Sequence, residues 1–517
     1  MVKGPVMEAL GILSAALVSA LLAIHARRRF LGKTPHPKGN RIAIYVAQFG
    51  EDEASTGARE AVMRSIEKEL GRERAEVLPA GVRLELDRNV SRDQATERAN
   101  AKARAILKKN GGDLLIWGHM ATMPGMAARV ELNFVSAERE HSRPEPYGLT
   151  QSLMLDADFG PEMGTALAAL AATAAASSAN DDSHYCVQML DPIARKLTPI
   201  ALNPPASLKP EDRARILFSF GAIQRTIGQQ AGSNKVLEQA IAAFRSTLDV
   251  WTRESAPQDW ARTQNWLGIS LSILGGRDNK SERLAQAIVA YHEALKIYTQ
   301  TNEPIMWAGI QNNLGIALRK LSEREENTGK LEQAVEAYRE ALKEWTQGLV
   351  PLLWATAQNN LGNALGSLGD RKNDTEKLEQ AIVAFRETLK ERTRKRVPLH
   401  WATTQNNLGN ALGLLGKCKG DTNTLKQAVV AFHEALKERT RKRVPLGWAA
   451  TQNNLGKALQ ALGECENCTE DLEQAIQAYR EALKEWTPEQ DPYHHQMAHD
   501  NLRQVEALLA ERRGGGR

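Results

Sequence analysis

The sequence has few cysteines and no large excess of charge of either sign. Only four of its 517 residues are cysteines, which excludes a disulfide scaffold and is typical of a reduced, cytosolic domain. The 67 Lys and Arg residues against 62 Asp and Glu give a net charge of +5, too balanced for a protein whose whole surface binds nucleic acid. A composition with 42% hydrophobic and 25% charged residues is that of an ordinary globular protein. A chain of this length should contain more than one domain.

Sequence motifs for phosphate binding and for catalysis are absent. There is no Gly-x-x-x-x-Gly-Lys-Ser/Thr loop, no Gly-x-Gly-x-x-Gly after a strand and no His-Glu-x-x-His pair. The polar residues Asp52, Glu53, His119 and Asp156 are scattered, as surface or strand-end residues are. We therefore expect no enzymatic activity and no cofactor.

The only cysteine pair with the spacing of metal ligands is Cys465 and Cys468. These two residues supply half of a zinc site, and the nearest candidate partners, His495 and His499, fall at the other end of a predicted helical hairpin. We expect plain thiols in a loop rather than a metal site.

What the sequence does contain is a pattern that returns every 47 residues. Tryptophan occurs at 260, 307, 354, 401 and 448, proline three residues before each of them, and leucine opens a Leu-x-Gln-Ala tetrad at 237, 284, 331, 378, 425 and 472. The pattern predicts an array of six repeats over residues 210–494.

Each repeat has the apolar periodicity of two helices, which we call A and B. In the repeat from Pro351 to Val397, helix A begins at the proline, carries Trp354 and three leucines on one face, and is expected to end at Gly369. Helix B is expected to begin at a side-chain cap on Thr375 and to bury Phe385. The equivalent caps are Asn234, Ser281, Thr328, Thr422 and Thr469.

The residues Leu361-Gly362, Leu365, Ala381 and Phe385 make this repeat similar to the tetratricopeptide repeat. The usual period is 34 residues, and we place seven of the 13 additional residues in the loop from A to B. The resemblance implies a mainly α fold, a right-handed α-solenoid of helix hairpins, closed by a capping helix from His495 to Glu511 within residues 495–517. It also implies that the A helices line a concave groove that holds a protein or peptide partner.

An apolar stretch from Ala9 to Ile24 precedes the basic residues Arg27, Arg28 and Arg29. A secretory signal would carry its positive charge before the apolar run, so we favour an N-terminal transmembrane helix with a basic linker over residues 1–39. The arginines place the C-terminal bulk in the cytoplasm, on the inner (plasma) membrane of a bacterial cell.

Residues 40–160 alternate short strands and helices and predict a small α/β domain of ordinary size. Strands are expected at 42–46, 82–86, 113–118, 129–135 and 149–155, and helices at 56–70 and 91–110. The segment Asp113 to Gly118 followed by an alternating strand resembles the TolB-type amino-terminal domain. Residues 161–209 are expected to form a helical bridge to the array.

Helix A carries Gln-Asn-Asn or a close variant in every repeat from residue 260 onward. At about 100° per residue, the first asparagine of the pair points away from the leucine stripe. The resemblance therefore implies a groove ladder that clamps a peptide backbone, formed by Asn265, Asn312, Asn359, Asn406 and Asn453 with Asn363 and Asn410. The alternative, most applicable to Gln358 and Asn360, is that these amides bond to one another and fix the register between repeats.

Two turns between repeats read Glu-Arg-Thr-Arg-Lys-Arg-Val-Pro. Stacked in a solenoid, they place a basic edge on the array, formed by Arg394, Lys395, Arg396, Arg441, Lys442 and Arg443 with Arg392 and Arg439. The edge could contact anionic lipid, an acidic partner or RNA. The simpler interpretation is a solvated edge balanced by neighbouring glutamates, and we expect no nucleic acid partner.

These features predict a membrane-anchored adaptor that binds a protein or peptide in the groove. The alternative is a signalling or sensor protein whose α/β domain binds a nucleotide or small ligand, with the repeats as a regulatory module. Ligand-dependent stabilisation of the α/β domain would favour the second interpretation.

The topology can be tested with a reporter fused after Arg517 and expressed in a bacterial host. We expect cytoplasmic reporter activity, because the positive charge follows the apolar run. Changing Arg27, Arg28 and Arg29 to Glu and adding lysines near Lys3 should invert or scramble insertion. Periplasmic activity of the unchanged fusion would contradict both the orientation and the expectation of reduced cysteines.

Overall fold

The structure is a computed structural model that describes most of the chain after residue 41. The described residues are 42–87, 89–90, 92–121, 128–137, 152–157, 159–176, 183–278, 280–489 and 491–514. The predicted transmembrane segment, Ala9 to Ile24, lies outside them and stays a prediction. Within the described ranges, no helix combines the length and the apolar character needed to cross a membrane.

The described chain divides into two compact parts, with the boundary between Ser255 and Ala256. The first part contains a five-stranded sheet and six helices, the last two of which form a hairpin. The second part contains only helices. The sequence-based domain boundaries, which place all six hairpins in one array, stay a prediction.

The sheet of the first part has the strand order β2-β1-β3-β4-β5. Strand β1 pairs in parallel with both β2 and β3, whereas β4 runs antiparallel to β3 and to β5. The strands are β1 (Ile42–Gln48), β2 (Ala75–Arg83), β3 (Leu114–Ala121), β4 (Arg129–Ser136) and β5 (Ser152–Asp156).

The first part also contains six helices. They are α1 (Glu53–Leu70), α2 (Arg92–Asn110), α3 (Pro161–Ala176), α4 (Ser183–Leu202), α5 (Pro210–Gln230) and α6 (Asn234–Leu248). Helix α2 packs on the sheet face that carries Tyr45 and Trp117, and Trp117 Nε1 donates to Asn100 Oδ1 of this helix at 2.9 Å. Helices α1 and α3 pack against each other and against the sheet. The predicted α/β composition of residues 40–160 is thus present.

The expected strand at 82–86 is wrong. The chain instead forms β2 from Ala75 to Arg83, and Pro79 lies within it opposite Val46. Because β2 is an edge strand, Pro79 can lack a backbone N–H without removing a bond from the middle of the sheet. Pro79 and Gly81 interrupt the alternation of apolar residues that would have predicted this strand.

The second part consists of eleven described helices. They are α7 (Pro257–Asp278), α8 (Ser281–Leu295), α9 (Pro304–Glu325), α10 (Thr328–Glu344), α11 (Pro351–Lys372), α12 (Thr375–Glu391), α13 (Pro398–Lys419), α14 (Thr422–Leu436), α15 (Pro445–Glu466), α16 (Thr469–Leu483) and α17 (Pro492–Gly514). The A helices α7, α9, α11, α13, α15 and α17 begin at prolines 47 residues apart, as does α5 before them. Helices α7, α9, α11, α13 and α15 each pack on the B helix that follows them and on the next A helix.

The end of helix A differs from the expectation. Helix α11 continues through Lys372 and ends at Asn373, which has a φ of 51°. Only two residues, Asn373 and Asp374, separate it from helix B, so the predicted long loop is wrong and the additional residues lengthen the helices. Gly369 is needed for another reason: a Cβ there would lie 2.8 Å from Leu378 Cγ of helix B.

The caps of the B helices lie one residue before the predicted positions. The side chains of Ser233, Asn327, Asp374 and Asp421 accept hydrogen bonds from backbone N–H groups of the first turn. Lys280 and Cys468 occupy the same position without such a bond. The predicted cap Thr375 is the first helical residue, and an Asp or Asn before it satisfies the exposed donors better than a second hydroxyl would.

Trp354 provides a test of the array. It is only 9% exposed at the start of α11, so Trp354→Ala should cost about 3–5 kcal/mol. Because repeats contact mainly their neighbours, hydrogen exchange should rise around α10 to α12 and remain unchanged in the α/β domain. Uniform loss of protection along all helices would contradict a modular array.

Candidate partner-binding groove

One cavity of about 630 Å³ lies on the A helices of the last repeats. Its lining comes mainly from α11, α13, α15 and α17, so it crosses four successive A helices. A volume of this size is in the range of sites that bind ligands. We call this cavity, with its lining residues, the groove.

Two of the predicted groove residues, Asn363 and Asn410, line this cavity. Asn363 is partly exposed and Asn410 is exposed. Neither side chain has a hydrogen bond to another described residue. Each amide therefore offers its donors and its acceptor to a ligand.

The five asparagines of the predicted ladder do not open into the groove. They are buried, with exposed fractions between 0 and 6%. Each accepts, on its Oδ1, a hydrogen bond from the Nδ2 of an asparagine 48 residues later in the next A helix. The donors are Asn313 to Asn265 (3.2 Å), Asn360 to Asn312 (2.9 Å), Asn407 to Asn359 (3.4 Å), Asn454 to Asn406 (3.3 Å) and Asn501 to Asn453 (3.2 Å).

The expected orientation of these five side chains is thus corrected. Helix α11 packs against its own B helix, against the preceding B helix and against the next A helix. Asn359 points away from the leucine stripe, as the wheel argument predicts, but the next A helix occupies that direction. The ladder fixes the register between repeats, as the alternative interpretation held for Asn360.

The residues that sequence reasoning missed in the groove are Gly366 and Gly413. The nearest atom to a Cβ built at either position is an alanine Cβ, at 3.9 Å, so each glycine leaves open space. The signal was available: both glycines occupy the same repeat position, where the neighbouring repeats carry Arg319 and Gln460.

Four charged residues surround this open space. Asp370, Lys417 and Glu464 share one repeat position, and Lys457 lies on the wall. Burial lowers the pKa of Lys457, the nearby Asp370 carboxylate opposes that shift and Lys417 adds to it. None of the four takes part in a salt bridge among the described residues, so the groove presents charges of both signs to a ligand.

The predicted basic edge is largely neutralised within the protein. Arg394 pairs with Glu438 at 2.6 Å, Arg396 with Glu391 at 2.9 Å and Arg443 with Glu438 at 2.8 Å. Arg441 pairs with Glu485. Lys395 and Lys442 are exposed. The arrangement is that of a solvated edge, as the simpler interpretation held.

Arg392 and Arg439, expected on this edge, point inward instead. Arg392 is 4% exposed, and burial lowers its pKa to about 10. Its guanidinium donates to Thr356 at 3.0 Å and to Thr404 at 3.4 Å, while Arg439 donates to Thr403 and Thr451. The other repeats place Trp or Tyr at this position, so the two arginines are core residues and offer nothing to a partner.

The α/β domain contains a smaller cavity of about 310 Å³ at the end of β1. Arg59 lines it, but its guanidinium donates to the carbonyls of Val46 and Ala80. Asp52 caps α1 through Ser55 N at 2.7 Å. These polar groups are engaged within the protein, as are Asp156, which pairs with Arg129, and His119, which lies near Glu131.

One segment of the chain is similar to a known repeat family. A sequence profile of the tetratricopeptide repeat family matches residues 448–491, which span one repeat from the tryptophan of α15 through α16. No curated protein matches the chain.

Solved structures similar to the chain include other helical repeat proteins. One is the C-terminal part of a TPR repeat-containing protein from Cytophaga hutchinsonii, at 13% identity over 62% of this chain and 95% of that chain, with a TM-score of 0.34. Another is the APC/C hetero-tetramer Cut9-Hcn1, at 18% identity over 67% and 55%, with a TM-score of 0.37. A third is the TPR2AB-domain:pHSP90 complex of yeast Sti1, at 15% identity over 57% and 98%, with a TM-score of 0.18.

The structural role of the ladder predicts that two asparagines of α11 differ in their effect on stability. Asn360→Ala removes the donor to the buried Oδ1 of Asn312 and should cost about 1–3 kcal/mol of unfolding free energy. Asn363→Ala removes an amide without a partner among the described residues and should change stability by about 0.5 kcal/mol or less. Denaturant titration of both variants measures the difference, and equal costs would contradict the assignment.

Proposed function

We propose that the protein is a scaffold that holds an extended segment of a protein partner in the groove. The observation that carries this proposal is the pair of unbonded amides, Asn363 and Asn410, on the wall of a 630 Å³ cavity. Such amides bind peptide groups of any sequence, because each offers two donors and an acceptor. The family match at residues 448–491 supports it, since such repeats provide extended surfaces for partners.

The proposal includes the finer features read from the sequence. The repeats are a 47-residue variant of the tetratricopeptide repeat, and the α/β domain is of the TolB type. Residues 9–24 anchor the protein in the inner membrane with the C-terminal bulk in the cytoplasm. The protein acts by binding, without catalysis or cofactor.

The sensor interpretation is less well supported. The cavity in the α/β domain has half the volume of the groove, and its arginine is bonded to the backbone. A ligand there would have to replace hydrogen bonds that hold β1 and β2 to α1.

Peptide display on the full-length protein in detergent tests the scaffold function. We expect a random 12-residue library to yield binders whose photoreactive derivatives cross-link to α11, α13 and α15. The double variant Asn363→Ala/Asn410→Ala should weaken these binders about thirtyfold, because each lost amide contributes about 1 kcal/mol.

A matched control is Asn423→Ala, which changes an exposed asparagine at the start of a B helix and should leave affinity unchanged. Cross-links confined to the outer faces of the B helices or to the basic edge would overturn the proposal. So would the failure of every library to yield a binder.

A further inference from the structure

The six hairpins share one contact between helices A and B. An aromatic ring of helix B lies over a glycine of helix A, so closely that a Cβ there would come within 2.6–2.8 Å of the ring. The pairs are Gly221 with Phe244, Gly268 with Tyr291, Gly315 with Tyr338, Gly362 with Phe385, Gly409 with Phe432, and Gly456 with Tyr479.

The repeats differ one helical turn further along helix A. Where the ring is Tyr479, its hydroxyl donates to Gln460 at 3.2 Å. Where the ring is Tyr338, Arg319 stands at the same position of helix A as Gln460. These two repeats thus carry a long side chain at this position, whereas the repeat of Tyr291 carries Ser272.

Two adjacent repeats lack both halves of this pair. Phe385 and Phe432 have no hydroxyl, and Gly366 and Gly413 have no side chain to cover them. All four residues line the groove. The groove therefore has two neighbouring pits, which are the open spaces at Gly366 and Gly413. Behind them lie Phe385 and Phe432, whose rings are buried. Phe244 in the first hairpin differs, because the long side chain of Arg225 stands at the position of the two glycines.

The spacing of the pits selects a backbone conformation. Packed helices lie about 8–10 Å apart, and α11 and α13 are in contact through Asn407 and Asn359. A β-strand returns to the same face every two residues, about 6.6 Å, which is too short, or every four, which is too long. A polyproline II helix returns every three residues, about 9.3 Å, and matches.

The pits have rims of opposite charge. Asp370 follows Gly366 by one turn, and Lys417 follows Gly413 by one turn. Both are exposed and neither forms a salt bridge among the described residues. In a polyproline II segment, the residue after each pit-filling residue points away from the pit, towards its rim. A charged side chain there can meet Asp370 or Lys417 if its charge has the opposite sign.

We propose that the partner segment adopts the polyproline II conformation and fills the pits with two large apolar side chains three residues apart. A basic residue follows one of them and faces Asp370, and an acidic residue follows the other and faces Lys417. This proposal rests on the scaffold function and names the chemistry of its partner.

Fluorescein-labelled peptides measure the selectivity on the full-length protein. The probes are GPLKPLEPG, its charge-swapped form GPLEPLKPG, and GPLPLKEPG, in which the leucines are two residues apart. We expect one of the first two to bind at least tenfold tighter than the third. Leucines two residues apart cannot fill both pits at once, so the third probe buries less apolar surface. Exchanging the rim charges with Asp370→Lys/Lys417→Asp should reverse the preference between the first two.

A variant that fills one pit tests the inference most directly. Gly366→Gln/Phe385→Tyr transplants the pair that Gln460 and Tyr479 already form in this chain, so the melting temperature should not fall, while probe affinity should drop about tenfold or more. The control Val383→Gln changes an exposed residue of the same B helix and should have no effect. The reverse variant Gln460→Gly/Tyr479→Phe opens a third pit and should tighten binding of a probe with a third leucine.

Unchanged affinity in the filled variant, or indifference to leucine spacing, would overturn this inference while groove cross-links from the random library would still support the scaffold function. Concentration-dependent dimers of the unliganded protein that the filled variant abolishes would identify a second copy as the occupant and also overturn it. Absence of any binder from the groove would instead count against the scaffold function itself.

Discussion

The contact of an aromatic ring with a glycine is the constraint on which every hairpin depends. The ring fills the space of the missing Cβ, so helices A and B approach more closely than any side chain would allow. Any larger residue at Gly362 would have to displace the ring of Phe385 or the helix that carries it. The groove opens where the next position along helix A is also glycine, at Gly366 and Gly413.

A second contact, the asparagine ladder, acts between repeats rather than within them. Each rung is a hydrogen bond between the side-chain amides of successive A helices, and the asparagine that accepts it is buried. An unpaired buried amide is costly, so a slip of one helix along the next would break the rungs together. Both contacts recur every 47 residues, so the same two constraints act in successive repeats.

The periodicity of Pro, Trp and Leu was sufficient to predict the helices and where each A helix begins. The sequence-based prediction was wrong at residues whose role differs from the usual role of their residue type. Gly369 was interpreted as a helix end because glycine favours positive φ, yet it serves close packing inside the helix. Asn359 was assigned to an open face because a wheel with one apolar stripe cannot show a second buried face made of polar residues. The open space at Gly366 exists because this residue has no side chain, and the periodicity of apolar residues does not reveal an absent side chain.

The buried arginines imply that the repeats cannot be freely permuted. Arg392 relies on hydroxyls from two A helices, Thr356 of its own repeat and Thr404 of the next. The later boundary at Trp486 instead packs on Ala498, which has no hydroxyl. A shuffled chain that placed Ala498 beside Arg392 would bury a guanidinium with an acceptor missing. The interfaces of Arg392 and Arg439 thus restrict which repeat can follow which, in addition to the covalent chain.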